Sequence, residues 1–146
     1  MAVVKIHSAI LNALSLHYAD FEHDSVGVIG HVGIKVQPPS SGLWLEAALI
    51  RNVSLQPFLA HDATVFERGI FQVGVCDRPG LGEVRSSEVA EAVAAHFKAG
   101  TKLTDNGVTV QINRRPEVAA AVPFDTKIMT PVSIPYFVEA PGEVTT

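Results

Sequence analysis

The sequence is poor in cysteine, in charge and in long hydrophobic runs. Its 146 residues include one cysteine, Cys76, and 18% of them are charged. A single cysteine cannot form an internal disulfide, so the fold must depend on a hydrophobic core. Lys5, His7, Asn12 and His17 interrupt the apolar residues of the N-terminal segment, a pattern that matches neither a signal peptide nor a membrane span. We therefore expect a soluble protein of a reducing compartment.

The chain also lacks an excess of positive charge. Its formal net charge is -4 and its isoelectric point is near 5.8, so the basic surface that binding to a nucleic-acid backbone requires is not expected. Hydrophobic residues make up 47% of the sequence, with a mean hydropathy of +0.26. Such a composition suits a protein that covers part of its surface with further copies of itself. The length fits one domain, residues 1–146.

Hydrophobic periodicity in the first half predicts a helix and two paired strands. Apolar residues recur at spacings of three and four over residues 3–19, the pattern of an amphipathic helix. Residues 43–55 and 65–76 predict neighbouring antiparallel strands, with a projecting loop at residues 56–63 between them. In the irregular, glycine- and proline-rich stretch before these strands, residues 32–36 predict at most one short strand.

A second helix is predicted after the second strand. Val89, Val93 and Phe97 line one side of it, and Gly100 is a typical stop signal. Residues 104–107, Thr-Asp-Asn-Gly, then form a turn cluster.

The last part of the chain predicts two more strands, at residues 108–112 and 128–138. Pro131 and Pro135 fall inside the second of them and predict a sheet edge, because proline cannot donate a hydrogen bond to the ladder. The expected fold class is α+β: a mainly antiparallel β-sheet with two α-helices packed on one face, including a long β-hairpin.

The segment DRPGLG at residues 77–82 has the outline of a phosphate-binding loop. A nucleotide-binding loop would read Gly-x-x-x-x-Gly-Lys-Ser/Thr, and a dinucleotide fingerprint Gly-x-Gly-x-x-Gly. Gly80 and Gly82 have neither a third glycine nor a following lysine. Free amides at a helix start can still hold an anion. The favoured interpretation is a strand-to-helix corner in which Pro79 fixes one dihedral and glycine permits positive φ.

Two groups of polar residues have the composition of a chemical site. The first is His17, Asp20, Glu22, His23 and Asp24. It offers metal ligands without a His-x-x-x-His or Glu-x-x-His spacing, so a solvated helix end is expected. The second is Cys76, Asp77 and His96. Its cysteine and histidine are separated by a whole helix, and a structural cysteine is expected. No catalytic residue, metal site or cofactor is therefore expected.

Four sequence blocks, taken in order, resemble a known family of virion proteins. The blocks are PPSSGLWLEAALIRN (38–52), RGIFQVGVCDRPGLG (68–82), SEVAEAVAAHFKAGTKL (87–103) and VQINRRP (110–116). They resemble the bacteriophage tail-terminator and tail-completion proteins, minor tail proteins of the lambda-like type. The resemblance covers roughly residues 38–138.

The resemblance implies a structural protein of the virion tail and neck, made in the host cytoplasm, and not an enzyme. Similar proteins form a hexameric ring that caps the tail tube, stops its polymerisation and provides the docking surface for the head. The implied partners are further copies of the chain, the tail tube protein on one face and the neck or connector protein on the other. DNA would pass through the lumen without specific binding, and no membrane is involved.

Three alternative functions remain open at this point. A neck or head-tail connector subunit and a tail tube protein would share the virion, and a small soluble enzyme would not. Residues expected at subunit or tube contacts are Phe58, Leu59, His61, Asp62, Arg68, Arg114 and Arg115.

The loop at residues 56–63 generates a first prediction. Phe58 and Leu59 at a projecting tip would expose apolar area, and burying each against a neighbouring subunit or the tube end would contribute about 1.5–3 kcal/mol per side chain. The double variant Phe58→Ser/Leu59→Ser should keep its monomer fold and melting temperature, while electron microscopy of the phage shows unterminated or headless tails. Normal virions, or a monomer that unfolds, would show that the loop packs onto its own domain.

Overall fold

A computed structural model describes residues 6–51 and 65–140 of the chain. Within these ranges it contains two helices and eight strands. They are α1 (Ile6–Ala19), β1 (Val26–Ile29), β2 (Leu43–Arg51), β3 (Val65–Asp77), α2 (Val84–His96), β4 (Lys102–Asp105), β5 (Val108–Gln111), β6 (Glu117–Val118), β7 (Val122–Pro123) and β8 (Ile128–Ala140). The expected loop at residues 56–63 lies outside the described residues. Neither helix of the described part is long and apolar enough to cross a membrane.

The antiparallel pair of β3 and β8 forms the centre of the sheet. The two strands pair along 13 residues each, from Val65 opposite Ala140 to Asp77 opposite Ile128. On the other side of β3, β2 pairs antiparallel, which confirms the predicted neighbouring strands. β1 runs parallel to β2 at one edge, and β5, β6 and β7 all pair with the second side of β8. The α+β fold with a mainly antiparallel sheet is confirmed.

Both helices pack on one face of this sheet. Alternation along β3 turns Phe71, Val73 and Val75 toward that face, where they are fully buried in the same cluster as the helices. The predicted apolar faces of the helices are confirmed. Their buried residues in that cluster include Ile6, Ile10, Leu14 and Tyr18 of α1 and Val89 and Val93 of α2, followed by Phe97.

β8 is a central strand, so the expectation of an edge at Pro131 and Pro135 is wrong. The carbonyl of Pro131 accepts a hydrogen bond of 2.9 Å from the N–H of Ala119, so odd-numbered residues of β8 direct their backbone groups away from β3. On that side the ladder is broken into short pieces. Pro131 lies between the residues that pair with β6 and β7, and Pro135 between those that pair with β5 and β6. The two positions of β8 that lack an N–H therefore lie where the ladder on its second side is interrupted.

The short strand predicted at residues 32–36 is also wrong. The strand lies earlier, at β1, because Gly33 has a φ of 79° and a turn joins the N–H of Ile34 to the carbonyl of His31. An extended chain cannot pass through that turn.

The turn expected at residues 104–107 is present, but the strand that leads into it was not predicted. Asn106 and Gly107 have φ values of 52° and 81°, as a two-residue hairpin turn requires, and they join β4 to β5. β4 is short and lies at an edge, with Lys102 and Thr104 exposed, so hydrophobic alternation gave little signal there.

Gly69 provides a test of the close packing between β2, β3 and β8. A methyl group at this position would lie 2.6 Å from the hydroxyl of Tyr136 and against the backbone carbonyl of Ile50. Because a backbone oxygen cannot move aside, Gly69→Ala should lower the free energy of unfolding by about 1–3 kcal/mol in urea denaturation. An unchanged denaturation midpoint would contradict this packing.

Candidate interaction surfaces

The corner between β3 and α2 is closed by its own charged side chains. The buried carboxylate of Asp77 accepts a hydrogen bond from Arg85 at 3.0 Å and from the backbone N–H of Arg78 at 2.8 Å. Gly80 and Gly82 have φ values of 85° and 78°, the conformation expected of glycines at such a corner. A buried carboxylate at this place would repel a phosphate, so the geometry favours the corner over an anion site.

Arg78 fastens the same corner to the segment before β2. Its guanidinium donates to the carbonyl of Gly42 at 2.8 Å and to that of Pro39, and it lies 5.6 Å from the ring centre of Trp44. The guanidinium of Arg78 is thus held by hydrogen bonds to two carbonyls and by the aromatic face of Trp44. Arg78 is therefore a structural residue.

A polar network on the sheet face without helices joins β2 to the turn before β8. Glu46 accepts hydrogen bonds from Lys127 at 2.7 and 2.9 Å and from the indole N–H of Trp44 at 3.1 Å. Burial opposes ionisation of Glu46, but the bonds from Lys127 and Trp44 outweigh it, so the pKa of Glu46 is lowered. Glu46 is thus a paired carboxylate that holds the turn.

Cys76 has neither the ionisation nor the neighbours of a nucleophile. Burial, with the negative charge of Glu46 as a second cause, raises the pKa of its thiol to about 12. Its side chain is fully buried and donates to the carbonyl of Gly74. Cys76 faces the side of the sheet opposite the helices, whereas His96 lies at the end of α2. The structure therefore does not bring this thiol and this imidazole together.

His17 and His96 instead contact each other at the C-terminal ends of the two helices. The Nε2–H of His17 donates to the carbonyl of His96 at 2.7 Å, and the Nε2–H of His96 donates to the carbonyl of His17 at 2.6 Å. The two rings stack with their centres 4.1 Å apart. The last carbonyls of a helix have no partner within it. Each histidine therefore caps the other helix.

The acidic residues that follow α1 do not join His17 in a metal site. Within the described ranges, no group of three or more His, Cys, Asp or Glu side chains could hold a metal ion. Asp20, Glu22 and Asp24 are exposed. Glu22 lines a shallow groove of about 330 Å³ along β1 together with Phe21 and His23. We call β1 with residues 20–24 the β1 edge.

An open groove of about 950 Å³ lies on the other side of the domain, between the C-terminal half of α2 and β6. Small or apolar residues and four charged ones line it. They are Ala94, Ala95, Ala99, Pro116 and Val118 with Glu91, Lys98, Arg115 and Glu117. Arg114, next to Arg115, is exposed. We call this groove with Arg114 the α2 groove.

Exposed apolar side chains continue from the α2 groove along the sheet edge. Val118, Val122 and Phe124 are 41%, 42% and 48% exposed. They belong to the segment EVAAAVPF, residues 117–124, in which only Glu117 is charged. Large apolar side chains that stay exposed on consecutive elements are typical of an interaction surface.

The β1 edge and this apolar segment lie at opposite ends of one row across the sheet. Val28 is opposite Trp44, Trp44 opposite Cys76, Cys76 opposite Met129 and Met129 opposite Val122. Four strand spacings separate the ends, roughly 19 Å.

The interface residues proposed from the sequence are thus spread over different parts of the chain. Arg68 is exposed on β3, on the face without helices and opposite Phe137. Arg114 and Arg115 are exposed together beside the α2 groove. Phe58, Leu59, His61 and Asp62 lie outside the described residues. The sequence hypothesis omitted Lys98, Val122 and Phe124, although the nearly uncharged run at residues 117–124 was a visible signal.

Comparisons with known proteins agree with the resemblance in the sequence. A family model described as "Phage tail terminator protein" matches residues 6–136. No curated protein matches the chain. A solved structure whose name says nothing of a function matches with a TM-score of 0.63 and 24% identity, over 91% of this chain and 92% of that one. At that identity the likeness concerns the fold.

The histidine pair generates a stability prediction. His17→Ala and His96→Ala should each lower the free energy of unfolding by about 1–2 kcal/mol, because each removes one hydrogen bond between the helix ends and the stacking of the two rings. The loss should be smaller for His96→Ala, because the carbonyl of His17 still accepts from the N–H of Asp20 at 3.2 Å. The double variant should lose less than the sum, because the stacked rings are shared. The control His7→Ala, at an exposed position on α1, should change stability by less than about 0.5 kcal/mol. Strictly additive losses would contradict the coupling.

Proposed function

Because the chain belongs to the phage tail terminator protein family, we propose that it forms a ring that caps the tail tube. In this proposal the ring stops tube polymerisation and provides the surface to which the neck of the filled head docks. A structural role in the virion tail follows from the family itself. The ring, its six copies and its two docking faces are the proposed part.

The observation that carries the proposal is the pair of interaction surfaces at opposite edges of the sheet. A closed ring built from one kind of chain uses two different patches on each copy, so that every copy offers one patch to each neighbour. The β1 edge and the α2 groove with its apolar segment are two such patches. A surface that pairs only with its own copy would produce a dimer instead.

The net charge supports a passage for DNA through the ring. Each copy carries -4, and a ring of like copies repels a polyanion more than it retains it. DNA would therefore slide through the lumen without specific binding.

The chemistry of the described residues supports assembly over catalysis. Cys76 is a buried thiol of raised pKa, Asp77 is paired with Arg85, and the imidazoles of His17 and His96 cap helices. These four groups therefore have structural partners or, for the thiol, an environment that opposes ionisation. We propose no catalytic centre, cofactor or metal.

The seven residues proposed for subunit or tube contacts keep that role here. Arg114 and Arg115 belong to the α2 groove. Arg68, on the face without helices, and the loop residues Phe58, Leu59, His61 and Asp62 are the candidates for contact with the tube or a neighbour.

Removal of the protein from the phage tests this function. A phage with a stop codon early in the gene should produce tails of irregular, extended length without heads, because nothing ends tube growth. Supplying the wild-type chain in trans should restore plaques and uniform tails. Six copies per tail are expected from mass measurements of purified tails. Tails of normal length in the mutant, unlimited tubes formed by the protein itself, or a different copy number would contradict the proposal.

A further inference from the structure

We propose that neighbouring copies bind through opposite charges, with the acidic residues of the β1 edge of one copy against the basic end of the α2 groove of the next. This inference rests on the proposed ring function and names the contact that would close it. The occupant of the α2 groove is thus a second copy of this chain.

The basic side consists of three cations at one end of the α2 groove. Lys98 follows the end of α2 by two residues. Ile112 exchanges hydrogen bonds with Gly100 and Thr101, which brings the segment that begins with Arg114 and Arg115 beside it. Glu91 lies more than one helical turn before the end of α2. The cations are therefore grouped, although the whole groove has mixed charge.

The acidic side consists of three carboxylates within five residues. Asp20, Glu22 and Asp24 are all exposed and lead directly into β1. Glu22 also lines the groove along that strand. They meet the sheet at the edge opposite the α2 groove.

These six charges have no ion-pair partner among the described residues of their own chain. By contrast, Arg78, Arg85 and Lys127 on the same domain are all bound to carbonyls or carboxylates. Charges of both signs thus remain available at two opposite edges. This is the arrangement that a head-to-tail contact between copies uses for orientation and specificity.

Side chains, and not strand addition, form the contact. The N–H of Phe124 points to the carbonyl of Lys127 within the hairpin, so the backbone nitrogen of Pro123 points outward from β7. That nitrogen has no hydrogen to donate, and edge-to-edge pairing is blocked there. The exposed Val118, Val122 and Phe124 then supply apolar area beside the charges.

Charge reversal in two variants tests the proposal in the phage. The first variant, Glu22→Lys/Asp24→Lys, has two basic edges. The second, Arg114→Glu/Arg115→Glu, has two acidic edges. Each alone should fail to complement the stop-codon phage, because like charges at every interface weaken it about tenfold or more.

The decisive measurement is co-expression of both variants. Copies with two basic edges and copies with two acidic edges can alternate around a ring of even number, so together they should restore plaques and tails of uniform length. The fourfold variant, with the charges exchanged within one chain, should also complement. Failure of both combinations while each variant folds, as judged by circular dichroism and melting temperature, would overturn the proposal. So would full complementation by each variant alone.

Matched controls separate this result from the proposed function. Lys102→Glu and Glu88→Lys reverse exposed charges outside both surfaces and should complement like wild type. If the wild-type chain complements and the mixed variants do not, the contact is wrong and the ring function stands. If the stop-codon phage needs no complementation, the function itself is wrong.

Discussion

The unbroken antiparallel ladder between β3 and β8 is the constraint on which the rest of the structure depends. Its 13 residue pairs fix the alternation of both strands, so that one face of them carries the large side chains of the cluster shared with the helices. β2 extends it on one side in full register, and the other side carries three separate short pieces. Pro131 and Pro135 are compatible with a central position only because that second side is interrupted. The ladder thus determines which part of the sheet is continuous. It also determines at which positions proline is tolerated and which strands form the exposed edges.

The two helices are joined at their C-terminal ends by hydrogen bonds between their own residues. Ring N–H groups of His17 and His96 reach across to the carbonyls at the opposite helix end, and Phe97 and Phe21 pack edge-on against these rings. Tyr18 continues this cluster toward β1, where its hydroxyl donates to the carbonyl of Gly30 at 2.7 Å. Polar groups that would otherwise be buried without partners therefore form the joint between α1, α2 and the beginning of the sheet. The polar groups between the helix ends therefore have partners, while large apolar side chains stay exposed both at the sheet edge, as Val122 and Phe124 do, and on the helices, as Leu16 and Val84 do.

The sequence was sufficient for those parts of the fold that local periodicity encodes. Both helices, the pairing of β2 with β3 and the turn at Asn106-Gly107 depend on residues close in the chain, and all were predicted correctly. The strand expected at residues 32–36 failed because of a local turn at Gly33, whereas other features were missed because they depend on distant neighbours. Proline at Pro131 was interpreted without knowledge of the strand opposite it, and the contact of His17 with His96 joins positions 79 residues apart. Lys98 and Arg115 line one groove only because α2 and β6 pack side by side. Of the candidate site, the sequence identified the pair Arg114 and Arg115, but the groove between α2 and β6 beside which they lie is visible only in the structure.

The burial of Cys76 has a consequence for chemistry performed on the protein from outside. The chain has one cysteine, and its inaccessible thiol, with a pKa raised to about 12, holds almost no thiolate at neutral pH. Alkylating reagents and disulfide exchange act on the thiolate, so Cys76 should react with neither in the folded protein. A cysteine introduced at any exposed position becomes the single reactive thiol and can carry one fluorophore or one cross-linker in an otherwise unaltered protein.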